Sequence, residues 1–192
     1  MKRLVVASTN AGKIREVSLA LSDLPDWNVE SVPDLREIEE TGSSFLENAS
    51  LKARHYSQFV RDLTLADDSG LCVIALDGRP GLHSARYAPT AEERNNRLLS
   101  ELAALGEGVD RSAAFYCALA VARAGNVVWT AQTELRGQIP MAPSGEFGFG
   151  YDPVFFVPGY ARTLAEMLLE EKNRISARGQ ALQQLRLFLK GQ

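Results

Sequence analysis

Short apolar runs alternate with amphipathic stretches in the first third of the chain. Residues 4–7 and 63–66 are compact apolar runs, which predict two buried strands, and residues 28–32 predict a further strand. Between them, apolar positions recur at helical spacing in residues 14–24 and 45–60. This alternation of strands and helices predicts an α/β domain.

The second half of the chain also predicts both helices and strands, and two of its strands form a predicted hairpin. A Thr-x-x-Glu capping box opens a predicted helix over residues 90–105. Residues 112–124 and 127–138 are long β-compatible runs separated by a Gly-Asn turn, which predicts a hairpin. Apolar positions at helical spacing over residues 181–189 predict a last helix. With no internal repeat and no low-complexity linker, residues 1–192 are expected to form a single domain.

The most unusual stretch, residues 67–87, follows the apolar run at 63–66. Asp67, Asp68 and Ser69 are expected at the strand end, and Arg86 lies beyond a Gly- and Pro-containing turn. Paired acids suit a hard cation such as Mg²⁺, and an arginine can bind phosphate, so metal-assisted chemistry on a phosphorylated substrate is one interpretation. A solvated Asp-Ser-Gly turn is the other.

Residues 8–13 form a polar, glycine-containing loop between the first strand and the first helix. Such a loop exposes backbone N–H groups at a helix start, where phosphate can bind, and Lys13 would add positive charge. The P-loop template fails because Ala7 stands where its first glycine should be. An ordinary helix N-cap remains the alternative.

Acidic residues precede the second predicted helix. Either Glu39 or Glu40 could reach Asp68 as a further metal ligand, or both could lie in a solvated loop. Lys52, on the predicted helix, is a basic group that could hold a phosphate.

Two further segments suggest ligand binding. Residues 145–153 alternate glycines with aromatics, which would let Phe149 or Tyr151 stack on a flat ring, although a glycine-rich turn with buried aromatics is equally consistent. Lys172 and Arg178 flank a candidate N-cap, Ser176, which indicates either an anion site or a charged helix junction. Together with the acids and Lys13, these residues suggest a nucleoside triphosphate site.

Composition narrows the function classes. The net charge of -3 argues against a general nucleic-acid binder, and no run approaches the length of a membrane span. Cys72 and Cys117 lie in apolar runs, which favours reduced thiols and a cytoplasmic protein.

The combined segments resemble the inosine/xanthosine triphosphate pyrophosphatase family, whose members hydrolyse non-canonical purine nucleoside triphosphates. They are spread over nearly the whole chain in the family's order. The matching segments are residues 8–10 with Lys13 and Glu16, residues 40–42 with Phe45, residues 47–49 and 52–53, residues 67–87, residues 147–153, and residues 171–172 with Ser176 and Arg178.

The resemblance implies an elongated, twisted mixed sheet with flanking helices that form two lobes around a central cleft, in a homodimer. It implies Mg²⁺-dependent hydrolysis of dITP, ITP, XTP and dXTP to the monophosphate and pyrophosphate. Asp68 would be the catalytic and metal-binding acid, with Glu39 as its metal partner. The implied substrate-binding residues are Ser8, Thr9, Asn10, Ala11, Gly12, Lys13, Lys52, Ser69, Arg86, Phe149, Gly150, Tyr151, Asp152, Lys172, Ala177 and Arg178.

One position departs from the family pattern. Ala177 stands where the family usually has a histidine before Arg178, and that histidine contributes to base binding. Two other classes remain open: a related pyrophosphatase for modified pyrimidine or methylated guanine nucleotides, and a nucleotide-binding module without turnover.

Overall fold

The computed structural model describes residues 1–31 and 38–192. The chain divides into two compact units. The first unit comprises Met1–Asp68, Cys117–Thr133 and Ala177–Gln192, and the second comprises Ser69–Tyr116 and Glu134–Ser176.

Strands account for much of the described chain. They are β1 (Lys2–Val6), β2 (Trp27–Ser31), β3 (Leu63–Val73), β4 (Ser112–Arg123), β5 (Asn126–Gln138), β6 (Phe156–Val157) and β7 (Arg162–Thr163). Parallel pairing joins β1 to β2 and to β3, whereas β6 pairs antiparallel with β5 and with β7. Within the described residues these strands form a mixed sheet in the order β2-β1-β3-β4-β5-β6-β7.

Five α-helices accompany the strands in the described part of the chain. They are α1 (Ala11–Ala20), α2 (Phe45–Tyr56), α3 (Ala91–Ala104), α4 (Leu169–Ile175) and α5 (Ala177–Lys190). Short 3₁₀ helices occupy much of the second unit's loops, including Gly81–Arg86 and Asp152–Val154. The predicted α/β class, with helices beside a mixed sheet, is confirmed. The elongated shape and the central cleft stay predictions.

The two units have hydrophobic cores of different character. In the first unit the small side chains of Ala49, Ala53 and Ala118 pack with other alanines and Tyr56, so helix α2 can pack close to the strands. In the second unit larger side chains, among them Phe155, fill the core. Each core covers apolar surface whose removal from water stabilises its unit.

Local signals predicted several boundaries correctly. The capping box of Thr90 and Glu93 opens α3, and the hairpin turns at Gly125. The predicted strand at residues 28–32 is β2, although Val32 lies outside the described residues. Among the residues described, no helix is both long and apolar enough to span a membrane.

Two expected boundaries were wrong. Strand β3 does not end at Ala66 but continues through the two aspartates to Val73. Helix α1 begins at Ala11, so the last three residues of the predicted loop belong to the helix. At β3, acidic side chains with distant partners take the place of the apolar ones that a local pattern requires. At α1, the helix begins directly after its N-cap, Asn10.

Candidate active site

Strand β3 places the two adjacent aspartates on opposite faces. Successive side chains of a strand point in opposite directions, and the partners of Asp67 and Asp68 differ accordingly. Asp67 binds side chains from α1 and α5, whereas Asp68 binds a side chain from α2. The pair predicted as one acidic site therefore forms two distinct carboxylate sites within the first unit.

Asp67 lies at the centre of a buried cluster of charges. Its Oδ1 accepts a hydrogen bond from Lys13 Nζ, and its Oδ2 accepts from Arg178 Nε at 2.8 Å. Arg178 Nη1 donates to Glu16 Oε2 at 2.5 Å. The side chains of Asp67 and Glu16 are only 4% and 1% exposed, so two cations and two anions balance in a region nearly closed to water.

Electrostatics keep Asp67 ionised. Burial alone would raise the pKa of its carboxyl, but Arg178 and Lys13 hold that pKa well below the usual range. The Cys117 thiol adds a third donor, with its Sγ 3.3 Å from Asp67 Oδ2. Burial and the Asp67 charge raise the pKa of Cys117, so the thiol keeps its proton and its donor role. Asp67 is therefore a fixed anion.

Asp68 has a different environment. Lys52 Nζ donates to Asp68 Oδ1 at 2.8 Å and to Glu40 Oε1 at 2.7 Å, so one ammonium joins two carboxylates. Burial raises the pKa of Asp68, helped by the Glu40 charge and opposed by Lys52. Burial alone would lower the pKa of Lys52, but the two carboxylates raise it. Asp68 is thus better suited than Asp67 to exchange a proton.

The structure contains two oxygen ligands that would suit Mg²⁺. No group of three or more His, Cys, Asp and Glu side chains within residues 1–31 and 38–192 forms a ready metal site. However, Asp68 and Glu40 converge on one cation, the Lys52 ammonium. Mg²⁺ is commonly bound through one or two carboxylates together with substrate phosphates and water, so this donor set fits it.

The loop before α1 is organised by its own polar side chains. Asn10 is the N-cap, and its Oδ1 accepts from Lys13 N at 3.1 Å. Ser8 Oγ accepts from Asn10 N at 3.1 Å. The ordinary N-cap is therefore present, and the exposed helix start beside Lys13 still has the backbone N–H groups and positive charge that favour an anion.

A second group of predicted residues meets in the second unit. Asp152 Oδ2 accepts from Phe149 N at 2.7 Å and from Lys172 Nζ at 2.5 Å. Both charged side chains are 5% exposed. The Lys172 ammonium lies 4.6 Å from the centre of the Phe149 ring, a cation–π contact. A buried ion pair thus fixes the backbone that presents an aromatic ring.

Glycine is required where this loop turns back on Asp152. Gly148 has φ +75°, and a Cβ there would lie 2.1 Å from Asp152 Oδ2. The neighbouring Tyr151 is buried, and its hydroxyl donates to Ser84 O at 2.9 Å. Tyr151 therefore anchors the loop, and of the two predicted aromatics Phe149, which is partly exposed, is the one available for stacking.

The remaining predicted residues vary in accessibility. Ser69 is partly exposed on β3, whereas Arg86, at the end of the 3₁₀ helix Gly81–Arg86, is exposed. Ala177 is buried at the start of α5, where its carbonyl accepts from Thr133 Oγ1 at 2.6 Å. Glu39 is exposed, and its role as a metal ligand stays a prediction.

Sequence reasoning gave no role to two residues that the structure brings into the first unit's site, Glu16 and Cys117. Asp67 and Glu40 were considered as metal ligands, whereas the family resemblance assigned the metal to Asp68 and Glu39. Glu16 lies inside a recognised motif. Cys117 gave no signal beyond an apolar run, because its partner is 50 positions away.

The chain matches a family model and several known proteins over nearly its whole length. The model of the Ham1 family matches residues 4–188. A dITP/XTP pyrophosphatase from Geobacillus kaustophilus is 47% identical, with 96% of this chain and 93% of the relative covered. The corresponding protein of Thermosynechococcus vestitus is also 47% identical, over 98% of this chain and 95% of the relative.

Solved structures show the same fold. A HAM1 protein from Coxiella burnetii has a TM-score of 0.88 and 42% identity, and the match covers 100% of both chains. The Ham1 protein of Staphylococcus aureus has a TM-score of 0.85 and 38% identity, over 99% of each chain.

Proposed function

Because this chain belongs to the Ham1 family, we propose that it hydrolyses non-canonical purine nucleoside triphosphates, dITP, ITP, XTP and dXTP, to the monophosphate and pyrophosphate. Relatives 47% identical are dITP/XTP pyrophosphatases. The observation that best supports the reaction is the junction of Lys52 with Asp68 and Glu40, where a cation and two carboxylates lie together. Phosphoryl transfer depends mainly on positioning and charge neutralisation, which this junction offers.

The first unit has the chemistry to bind the triphosphate. The N-terminus of α1 presents backbone N–H groups, and Lys13 adds an ammonium beside it. Lys52 supplies a second ammonium next to Asp68. We assign the phosphates to these groups because each favours an anion and none depends on which base the substrate has.

Asp68 is the proposed catalytic residue. The water oxygen bonds to phosphorus, the P–O bond between the α- and β-phosphates breaks, pyrophosphate leaves, and the Asp68 carboxylate accepts the water's proton. The hydrogen bond from Lys52 orients Asp68 for this step. Asp68 with Glu40, or with the predicted Glu39, would hold Mg²⁺, which when bound neutralises phosphate charge.

The second unit has the chemistry to recognise the base. The Phe149 ring can stack on a purine, and the Lys172 ammonium beside that ring is a donor suited to a 6-oxo group. Adenine has an amino donor at that position, which cannot accept a hydrogen bond from the ammonium, and this disfavours adenine. Arg178 is a second candidate donor, although Asp67 and Glu16 already accept from two of its nitrogens.

A product assay tests the proposal. The purified chain with Mg²⁺ is given dITP, XTP, dATP or dGTP, and nucleotide products and pyrophosphate are quantified. Monophosphate and pyrophosphate from dITP and XTP are expected, with much slower turnover of dATP, which lacks the 6-oxo group. Asp68→Asn should lower kcat by about a thousandfold, within the range for loss of a catalytic acid or base.

Other products would contradict it in distinct ways. Diphosphate and phosphate would indicate a different hydrolase, and preference for modified pyrimidine or methylated guanine nucleotides would indicate a related pyrophosphatase. Tight binding without turnover, unaffected by Asp68→Asn, would indicate a binding module. A homodimer, which the family resemblance implies, and a cytoplasmic location, which the cysteines in apolar runs favour, complete the proposal. They are checked by light scattering and cell fractionation.

A further inference from the structure

The Asp67 carboxylate joins two cations that come from distant parts of the chain. Lys13 lies in the first turn of α1 and Arg178 in the first turn of α5, and both donate to Asp67 on β3. The sequence separations are 54 and 111 positions. Because Asp67 is held within a strand, it supplies a fixed point for two long, flexible side chains.

Fixing either of these side chains when the substrate binds would cost conformational entropy. Lysine and arginine lose rotamer entropy when they are immobilised. In this cluster the Asp67, Lys13 and Arg178 side chains are 4%, 19% and 10% exposed, so the hydrogen bonds form largely out of water. Preformed charge positions of this kind are what a polyanionic substrate requires.

We propose that Asp67 is a positioning residue for the pyrophosphatase reaction. It fixes the Lys13 ammonium for a substrate phosphate and the Arg178 guanidinium for the substrate-binding pocket, and it takes no part in proton transfer. This inference rests on the proposed function for the roles of the two cations. It separates Asp67, which acts through other side chains, from its neighbour Asp68, which acts on the reacting atoms.

Asp67→Asn tests the role because the amide keeps the shape of the side chain but removes its charge. We expect kcat/KM for dITP to fall by about a hundredfold, as when substrate groups are displaced by about 1 Å. In a Lys13→Met background the same change should cost much less, because Asp67 then has one cation fewer to position. Equal costs in both backgrounds, or no loss at all, would overturn the proposal.

Asp23→Asn is the matched control. Asp23 is an exposed carboxylate in the first unit that pairs with Arg186 of α5, so the change removes an equivalent charge and an ion pair to the same helix. Exposed ion pairs contribute little to stability, so the activity of Asp23→Asn should stay within about twofold of wild type. A loss as large as that of Asp67→Asn would show that removing any ion pair between an aspartate and α5 lowers activity. That result would overturn the positioning role of Asp67.

An NMR measurement separates this inference from the proposed function and from failure to fold. In wild-type protein the Arg178 Nε–H should give a slowly exchanging ¹H–¹⁵N signal, assigned by its loss in Arg178→Lys, because it donates to a buried carboxylate. Absence of that signal overturns the proposal even if Asp67→Asn does not fold. If wild-type protein releases no pyrophosphate, the proposed function fails, while this signal still shows whether Asp67 holds Arg178.

Discussion

The charged cluster of the first unit and the aromatic loop of the second are built in different ways. In the first unit, side chains from α1, α2, β3 and α5 meet at two adjacent aspartates. In the second, a loop of residues 145–152 is fixed by the ion pair of Asp152 with Lys172 and by the hydrogen bond from Tyr151 to Ser84. The first arrangement joins several charged side chains, whereas the second combines this ion pair with hydrogen bonds to neutral groups.

This difference predicts different behaviour on mutation. A change in the first unit's cluster should affect the hydrolysis of every triphosphate, because its groups are charges suited to phosphate and metal. A change in the second unit's loop should alter which base is accepted, because its exposed group is an aromatic ring beside an ammonium. The predictions below test this division.

The largest effect in the second unit is expected for Asp152→Asn. The change leaves the Lys172 ammonium buried without its counter-charge and weakens the acceptor for the Phe149 N–H. We expect kcat/KM for dITP to fall by about a hundredfold and the melting temperature to drop, since breaking a buried pair costs about 3–5 kcal/mol. Steady-state kinetics and thermal unfolding measure the two effects.

Asp110→Asn is the control for this prediction. Asp110 is an exposed acceptor of the Ser112 N–H, 2.9 Å away, in the same unit. Its loss should change neither activity nor melting temperature by much. If Asp152→Asn behaved like this control, the ion pair would not organise the loop.

A smaller effect, and a gain, is expected for Ala177→His. The family resemblance implies that a histidine at this position contributes to base binding, so Ala177→His should raise kcat/KM for dITP or XTP by about tenfold through one recovered polar contact. Because Ala177 is only 3% exposed, the imidazole must displace neighbouring groups, and the melting temperature should fall. Ala177→Leu adds bulk without a polar group and should give no gain; an equal gain from leucine would show that the polar contact is irrelevant.

The smallest effect concerns Cys117. Cys117→Ser retains an O–H donor to Asp67, whereas Cys117→Ala removes the donor and leaves one acceptor position unfilled. Urea unfolding should show the alanine variant to be less stable than the serine variant by about 1–2 kcal/mol. Equal stability of the two variants would mean that the thiol only fills space.

The sequence predicted those elements whose signals are local. The capping box at Thr90 and the turn at Gly125 depend on neighbouring residues, and both were placed correctly. The end of the strand before Asp67 was wrong because two acids in a row argue against a buried strand. Their partners, Lys13, Lys52 and Arg178, come from three helices, and no local pattern reveals such pairing.

The candidate site, too, could be predicted only where its signals are local or match the family pattern. The family resemblance selected Asp68, Lys13 and Lys172, and the structure gives each of them a close charged partner, while their roles stay predictions. It assigned the metal to Asp68 and not to Asp67, but the physical reason for the difference depends on which face of β3 each side chain occupies. Likewise, only the hydrogen bond from Lys52 distinguishes Glu40 from its neighbour Glu39.

The division of roles is tested most directly by the ratio of kcat/KM for dITP to that for dATP in Lys52→Gln and Lys172→Gln. Lys52→Gln should lower both values by similar factors and leave the ratio within about twofold of wild type. Lys172→Gln should reduce the ratio by about tenfold or more, because the donor beside Phe149 is weakened. An unchanged ratio in Lys172→Gln, or a collapsed ratio in Lys52→Gln, would contradict the account.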